Sequence, residues 1–195
     1  MKLAPRILEG RFVRLEPYVQ ALKGELREAL DCDPEAWGLM GGAGYGDHFE
    51  RWWSVRVGLM AKGTEIPYAV RRLSDGRLVG GSSLMALRPE HRGLEIGGTF
   101  LRPEARAGAV NPEMKLLMLA ESFAAGVVRV EILTDLRNRR SRAAIAKLGA
   151  IHEGVLRRHK ITWTGHIRDT VMFSITDLEW PAVRARLQAR VAAFA

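Results

Sequence analysis

Most classes of protein are excluded by what this sequence has little of. A single cysteine, Cys32, leaves no intramolecular disulfide and no cysteine-based zinc site. Apolar runs are short: the longest, Leu116 to Val128, is broken by Glu121, Ser122 and Gly126, so no segment is expected to span a bilayer. Met1-Lys2-Leu3-Ala4-Pro5-Arg6 carries charge without an apolar stretch, so no export signal is expected and the cytoplasm is the expected location. No linker, internal repeat or like-charge tail divides the chain. His48, His91, His152, His159 and His166 form no i,i+4 pair, so no metal site is predicted. No Gly-x-Ser-x-Gly elbow supports a hydrolase. Acidic residues are the minority, 22 against 30 Lys and Arg, a net charge of +8. An arginine-led surplus suits an anionic partner: nucleic acid, a phosphorylated cofactor or an acidic substrate.

What is present is ordinary for a globular protein. With 195 residues, 47% of them hydrophobic, the chain reads as one domain over residues 1–195. That length suffices to bury roughly 70% of the surface exposed by the unfolded chain. Arg11 to Pro17 alternates as a half-buried strand, and helical spacing follows over Val19–Leu30 and Asp47–Met60. Between them Gly41 to Gly46 reads as a mobile loop, and Trp37, Trp52 and Trp53 as core or as the lining of an acceptor pocket. Strands over Ile66–Leu73 and Leu78–Leu87 flank an Asp75-Gly76 hairpin turn, and a third runs from Leu94 to Leu101. Pro112 is expected to open a helix to Ala125. A strand over Val128–Thr134, a helix over Asn138–Leu148 closed by Gly149, two strands over Ala150–Ile161 and Ile167–Ile175, and a last helix capped by Asp177 complete the pattern. The order β-α-α-β-β-β-α-β-α-β-β-α predicts an α/β (α+β) layered domain around one mixed sheet.

Two segments concentrate the chemistry. In the first, a strand ending at Leu101 is followed by Arg106-Ala107-Gly108-Ala109-Val110-Asn111 and then a helix. Small side chains let backbone N–H groups approach an anion, and the helix N-terminus adds partial positive charge. The same spacing fits a plain βα connection. In the second, Asn138 precedes Arg139, Arg140, Ser141 and Arg142. Asn138 is a good N-cap, and cations in a first turn oppose the helix dipole. Such a turn, with Lys147 further along, either holds anions or is a solvated face.

With these segments the chain resembles the GNAT superfamily of acyl-CoA-dependent N-acetyltransferases, whose signature is Gln/Arg-x-x-Gly-x-Gly/Ala at the start of the main helix. It is most similar to the branch of ribosomal-protein N-terminal acetyltransferases, through Gly10 to Pro17, Glu95-Ile96-Gly97-Gly98, Thr134-Asp135 with Arg137-Asn138 and Ser141, Leu148-Gly149-Ala150, and the hairpin from Glu153 to Thr170. Arg106 fits the first motif position. Ala109 replaces the central glycine and Asn111 the last small residue, with Gly108 one place early. A positive φ at residue 109 would strain alanine by roughly 1 kcal/mol or more.

The resemblance implies a three-layer GNAT-like domain whose central mixed, mostly antiparallel sheet splays to admit CoA, with helices on both faces. It implies that Phe100 and Leu101 pair with the pantetheine, that Arg106, Ala107, Gly108, Ala109, Val110 and Asn111 hold the pyrophosphate, and that Asn138, Ser141 and Lys147 complete the cofactor shell. Acetyl-CoA would donate directly to a primary amine, a protein N-terminus or a small molecule. An amine that is mostly protonated at pH 7 needs a base, for which Glu95 is the candidate; Ser141 is the candidate acid for the leaving thiolate. The plainer alternatives are a surface ion pair for Glu95 and a capping role for Ser141. A ribosomal-protein or RNA contact and a homodimer complete the expected partners. The competing reading is an RNA- or ribosome-binding protein of the same fold without efficient transfer.

Overall fold

The computed structural model describes residues 1–194. Eight strands form one sheet: β1 (Leu8–Glu9), β2 (Val13–Pro17), β3 (Ile66–Arg72), β4 (Leu78–Arg88), β5 (Gly93–Leu101), β6 (Arg129–Asp135), β7 (Ile151–Ile161) and β8 (Ile167–Thr176). Their spatial order is β1-β2-β3-β4-β5-β6-β8-β7, antiparallel throughout except for β5 against β6. Helices α1 (Lys23–Asp31) and α2 (Phe49–Ala61) lie on one face, and α3 (Val110–Ala124), α4 (Arg139–Leu148) and α5 (Trp180–Ala192) on the other. The three layers and the mixed sheet are as the sequence predicts.

Burial follows the strand period of two. Leu94 and Ile96 of β5, Val130 and Ile132 of β6, and Val171, Phe173 and Ile175 of β8 pack under α3 and α5 with Met114, Met118 and Leu187. A second cluster joins Leu26, Leu30, Phe49 and Trp53 of the first two helices to Tyr18, Trp37, Leu78 and Phe100. The cover supplied by α1 and α2 stops at β5. Beyond it the same face carries Glu131, Leu133 and Asp135 of β6 and Arg168, Thr170, Met172 and Ser174 of β8, mostly polar side chains.

β5 and β6 pair only over Gly93–Glu95 against Arg129–Glu131 and then part. A bulge marks the change: Gly98 sits at φ +60°, a conformation that a side chain at this position would strain. The predicted splay therefore begins directly after Glu95.

Three local expectations are corrected. The main helix begins at Val110, two residues before Pro112, so Asn111 is helical. Ala109 sits in the right-handed region at φ −67°, and the left-handed residue is Ala107 at φ +62°. The last helix begins after Glu179, whose carboxylate accepts from Thr176 N and Oγ1, so Asp177 is not its cap. Within the 41–46 loop Ala43 and Gly44 are buried, and a Cβ on Gly44 would strike Trp37 and Trp52, while Gly41, Gly42 and Gly46 have open space around them.

Candidate active site

Glu95 stands at the point where β5 and β6 separate, level with Glu131. Its neighbours Leu94 and Ile96 face the core, so its side chain lies on the opposite, open face, folded against Gly97 and Met85. Burial pushes its pKa up, partly opposed by Lys160, Arg168 and Arg88 and reinforced by Glu131. No ion pair holds it among the described residues. Three other carboxylates on this face are neutralised: Glu131 by Arg88 at 2.9 Å, Glu153 by Arg129 at 2.6 Å, and Asp135 by Arg137 at 2.9 Å. The surface ion pair considered for Glu95 is not formed. A half-buried carboxyl with a raised pKa and no fixed partner is a stronger base than an ordinary glutamate and is chemically suited to take a proton.

Asn138 precedes α4 and its Oδ1 accepts from Ser141 N at 2.9 Å, so the cap predicted there exists. That bond leaves the Asn138 amide donors for other partners. Since Asn138 does the capping, the Ser141 hydroxyl is not needed for it; Ser141 is half-buried in the first turn. Lys147 lies in the last turn of the same helix, exposed, roughly 12 Å along the axis from Arg139. The structure does not bring Lys147 to the other predicted residues.

At the start of α3 no side chain caps the helix, so the amides of Val110 and Asn111 keep the donors that helices leave unpaired there. Gly108 has open space where a Cβ would stand. Together these features fit an anion held by backbone amides. Arg106 does not reach for that anion. Its Nε donates to Leu101 O at 2.8 Å, its Nη2 to Asp33 Oδ2 at 2.6 Å, and the guanidinium lies over the Phe100 ring. The carbonyl of Leu101 is thereby engaged within the chain, while that of Phe100 is turned toward Gly80 of β4, so neither carbonyl is left free for the expected pairing. A cavity of about 360 Å³ opens beside this link, bounded by Asp33, Ala36, Leu39, Arg137, Asn138 and Arg140. It brings the 34–39 turn to the first turn of α4. A second, of about 340 Å³, is lined by Gly108, Ala109 and Val110 together with Arg11 and Arg72.

Sequence reasoning missed three features. Arg168 stands in the sequence as one residue of a hairpin, and its burial at 7% exposure depends on long-range pairing. Lys115 gave no signal because it follows Met114 in an apolar helix stretch; it is 5% exposed, and its Nζ donates to Thr99 Oγ1 at 2.7 Å and Ser82 Oγ at 3.2 Å. Trp163, at the β7–β8 turn, donates from Nε1 to Trp37 O at 2.9 Å and lies 5.2 Å from the His48 ring. Its signal was an aromatic beside the Thr164-Gly165 turn. Trp37 and Trp53 themselves are core residues, at 1% and 5% exposure.

A splayed mixed sheet, an uncapped helix beside it and an unpaired carboxyl at the fork make up the candidate site, and comparison with known proteins gives the fold a family. The acetyltransferase (GNAT) domain model matches residues 13–151. The chain belongs to the GNAT acetyltransferase family. It is similar to a GCN5-related N-acetyltransferase from Brucella melitensis, with 28% identity, TM-score 0.89, and 98% of this chain and 87% of that one covered. It is similar to a T. thermophilus protein assigned as an acetyltransferase, with 35% identity, TM-score 0.85 and coverage of 97% and 99%. Mycobacterium smegmatis RimJ, solved with CoA-disulfide, shares the fold at 21% identity and TM-score 0.81, with 95% of each chain covered. No match was found among curated proteins.

Proposed function

We propose that this protein transfers an acetyl group from acetyl-CoA to a primary amine, with Glu95 as base and Ser141 as the hydroxyl beside the leaving sulfur. The reading is carried by Glu95: a carboxyl without an ion pair, with a raised pKa, at the fork of the sheet. Family membership and the CoA-disulfide complex of the RimJ structure support the donor. Acetyl-CoA supplies an activated acyl carbon and a thiolate leaving group. Glu95 takes a proton from the acceptor ammonium. The freed amine nitrogen bonds the acetyl carbon as the carbon–sulfur bond breaks; the proton that the new amide nitrogen sheds neutralises the departing thiolate, whose sulfur the Ser141 hydroxyl hydrogen-bonds. The Val110 and Asn111 amides would hold the pyrophosphate, and the Asn138 amide donors the pantetheine arm.

A melting curve with acetyl-CoA and a CoA-release assay over an amine panel test this. Ligand at a hundred times its dissociation constant should add about 2.7 kcal/mol of stability. Release of CoA should depend on the amine. No shift at millimolar acetyl-CoA overturns the reading. N-terminal peptides of ribosomal proteins belong in the panel because ribosomal-protein acetyltransferases share this fold.

A further inference from the structure

Parallel pairing sets a second carboxylate beside Glu95. Strands β5 and β6 run in register over Gly93–Glu95 and Arg129–Glu131, and Glu95 and Glu131 are Cα partners in the last rung before the strands part. Residues in register on parallel neighbours point the same way, with their strands about 4.8 Å apart. Leu94, Ile96, Val130 and Ile132 all face the core, so both glutamates project onto the open face. The Glu95 carboxyl has a defined seat there. A Cβ on Gly97 would stand 2.6 Å from its Oε1 and 2.9 Å from Met85 Sδ, so the missing side chain makes the room.

The surroundings treat the two carboxyls differently. Glu131 is pinned at both oxygens, Oε2 by Arg88 Nη2 at 2.9 Å and Oε1 by Arg129 Nε at 3.2 Å. Arg129 also donates from Nη1 to Glu153 Oε1 at 2.6 Å, and Ser174 Oγ donates to the same oxygen at 2.6 Å. The chain Arg88–Glu131–Arg129–Glu153 therefore crosses β4, β6 and β7 with two charges of each sign, and Ser174 ties it to β8. Each member is about a third exposed or less. Glu95 stands next to Glu131 and takes no part in the chain. Where two carboxyls share a site and one is held charged by cations, the other becomes the more basic.

Building on the transferase reading above, we propose that Glu131 is a positioning residue for the proton transfer: its pinned carboxylate makes Glu95 the stronger base of the pair, and Arg88 sets how far. Burial is the largest influence on Glu95 and is common to every variant of its neighbours. The charges acting on it come from four strands: Arg88 of β4, Glu131 of β6, Lys160 of β7 and Arg168 of β8. Only Glu131 among them is negative, and it outweighs Arg88. A network with equal numbers of each sign is tipped either way by removing one member. Loss of the carboxylate must weaken Glu95 as a base and loss of the guanidinium must strengthen it; general damage to the site cannot do both.

The test follows the Glu95 carboxyl carbon by NMR titration of glutamate-labelled protein, its signal assigned by its loss in Glu95→Gln. In Glu131→Gln, which keeps the shape, the titration midpoint should fall by about one unit, and in Arg88→Gln it should rise by a similar amount. Glu131→Asp keeps the charge and should stay near the wild-type midpoint. The acid limb of kcat/KM, read by CoA release, should move with the midpoint: to lower pH in Glu131→Gln and to higher pH in Arg88→Gln. Above that limb Glu131→Gln should turn over about threefold more slowly, as a weaker base does. Acetyl-CoA affinity, from melting curves, should be kept in all three variants. A midpoint unmoved in Glu131→Gln, or moved the same way in Glu131→Gln and Arg88→Gln, overturns the inference. If acetyl-CoA is turned over and the midpoints do not move, only this inference falls. If the midpoints move as expected and no amine releases CoA, the coupling of the two glutamates stands and the transferase reading falls.

Discussion

Strand β5 separates two ionisable groups that burial drives toward neutrality by the same physics and to different ends. Below it Lys115 reaches from α3 to Thr99 and Ser82, fully enclosed, with its pKa lowered to about 7 by burial alone. Above it Glu95 has its pKa raised, but it faces the cleft and no side chain is fixed to it. A neutral amine has two N–H donors, and Lys115 finds two hydroxyls, so both donors of the sealed group are used. The open group has a proton to exchange and room for a partner. Burial alone therefore does not mark a functional residue here; burial with an unspent bond does.

The contrast breaks most sharply at Glu95. Glu95→Gln should lower kcat/KM by about a hundredfold to ten-thousandfold, measured by CoA release, with acetyl-CoA affinity kept. A raised carboxyl pKa favours the folded state below the ordinary glutamate range, and that advantage is lost as pH rises through the folded value. Wild-type activity should accordingly rise with pH above the usual carboxylate range, and the variant should lack that limb without melting lower at pH 7.

Ser141→Ala probes the open side more gently. The expected loss in kcat is about tenfold to a hundredfold with little change in melting temperature, because Asn138 keeps the cap. Normal turnover would remove Ser141 from the reaction.

On the sealed side the readout is stability. Lys115 is neutral in the folded chain above about pH 7 and protonated in the unfolded chain up to about 10.5. Stability should therefore rise with pH across this window, by up to about 1.4 kcal/mol per unit, and decline as pH falls toward 7. Lys115→Met should flatten that slope, as read by urea melts at pH 7, 8 and 9. A slope that survives the substitution would assign it to other groups.

The smallest effect expected is at the loop. Ala107→Gly should stabilise by up to about 1 kcal/mol, since it removes a side chain at φ +62°, whereas Ala109→Gly should gain nothing. A tighter acetyl-CoA complex only in the first variant would tie that strain to the cofactor.

These outcomes also show which parts of the molecule were legible in advance. Element order apart from the two-residue β1, the Asp75-Gly76 turn, the Asn138 cap and the Gly149 helix end rest on short-range rules, and each was readable from neighbouring residues. Glu95 and Ser141 were picked by family likeness rather than by chemistry visible in the string. The left-handed position moved from residue 109 to 107 because a motif fixes spacing, not the dihedral angle of a substituted loop. Arg168 and Lys115 depend on the pairing of β8 with β6 and the seating of α3 on the sheet, contacts that no local pattern encodes.

The bond from Trp163 to Trp37 joins residues 126 positions apart. Closing a loop of that length has an entropic cost that grows only slowly with its length, so the contact is compatible with a marginally stable domain. A chain lacking its final hairpin has neither the buried Arg168 nor the bond from Trp163 to the 34–39 turn. The cleft is therefore composite: its walls come from both halves of the sequence, and truncation before β7 removes one of them entirely.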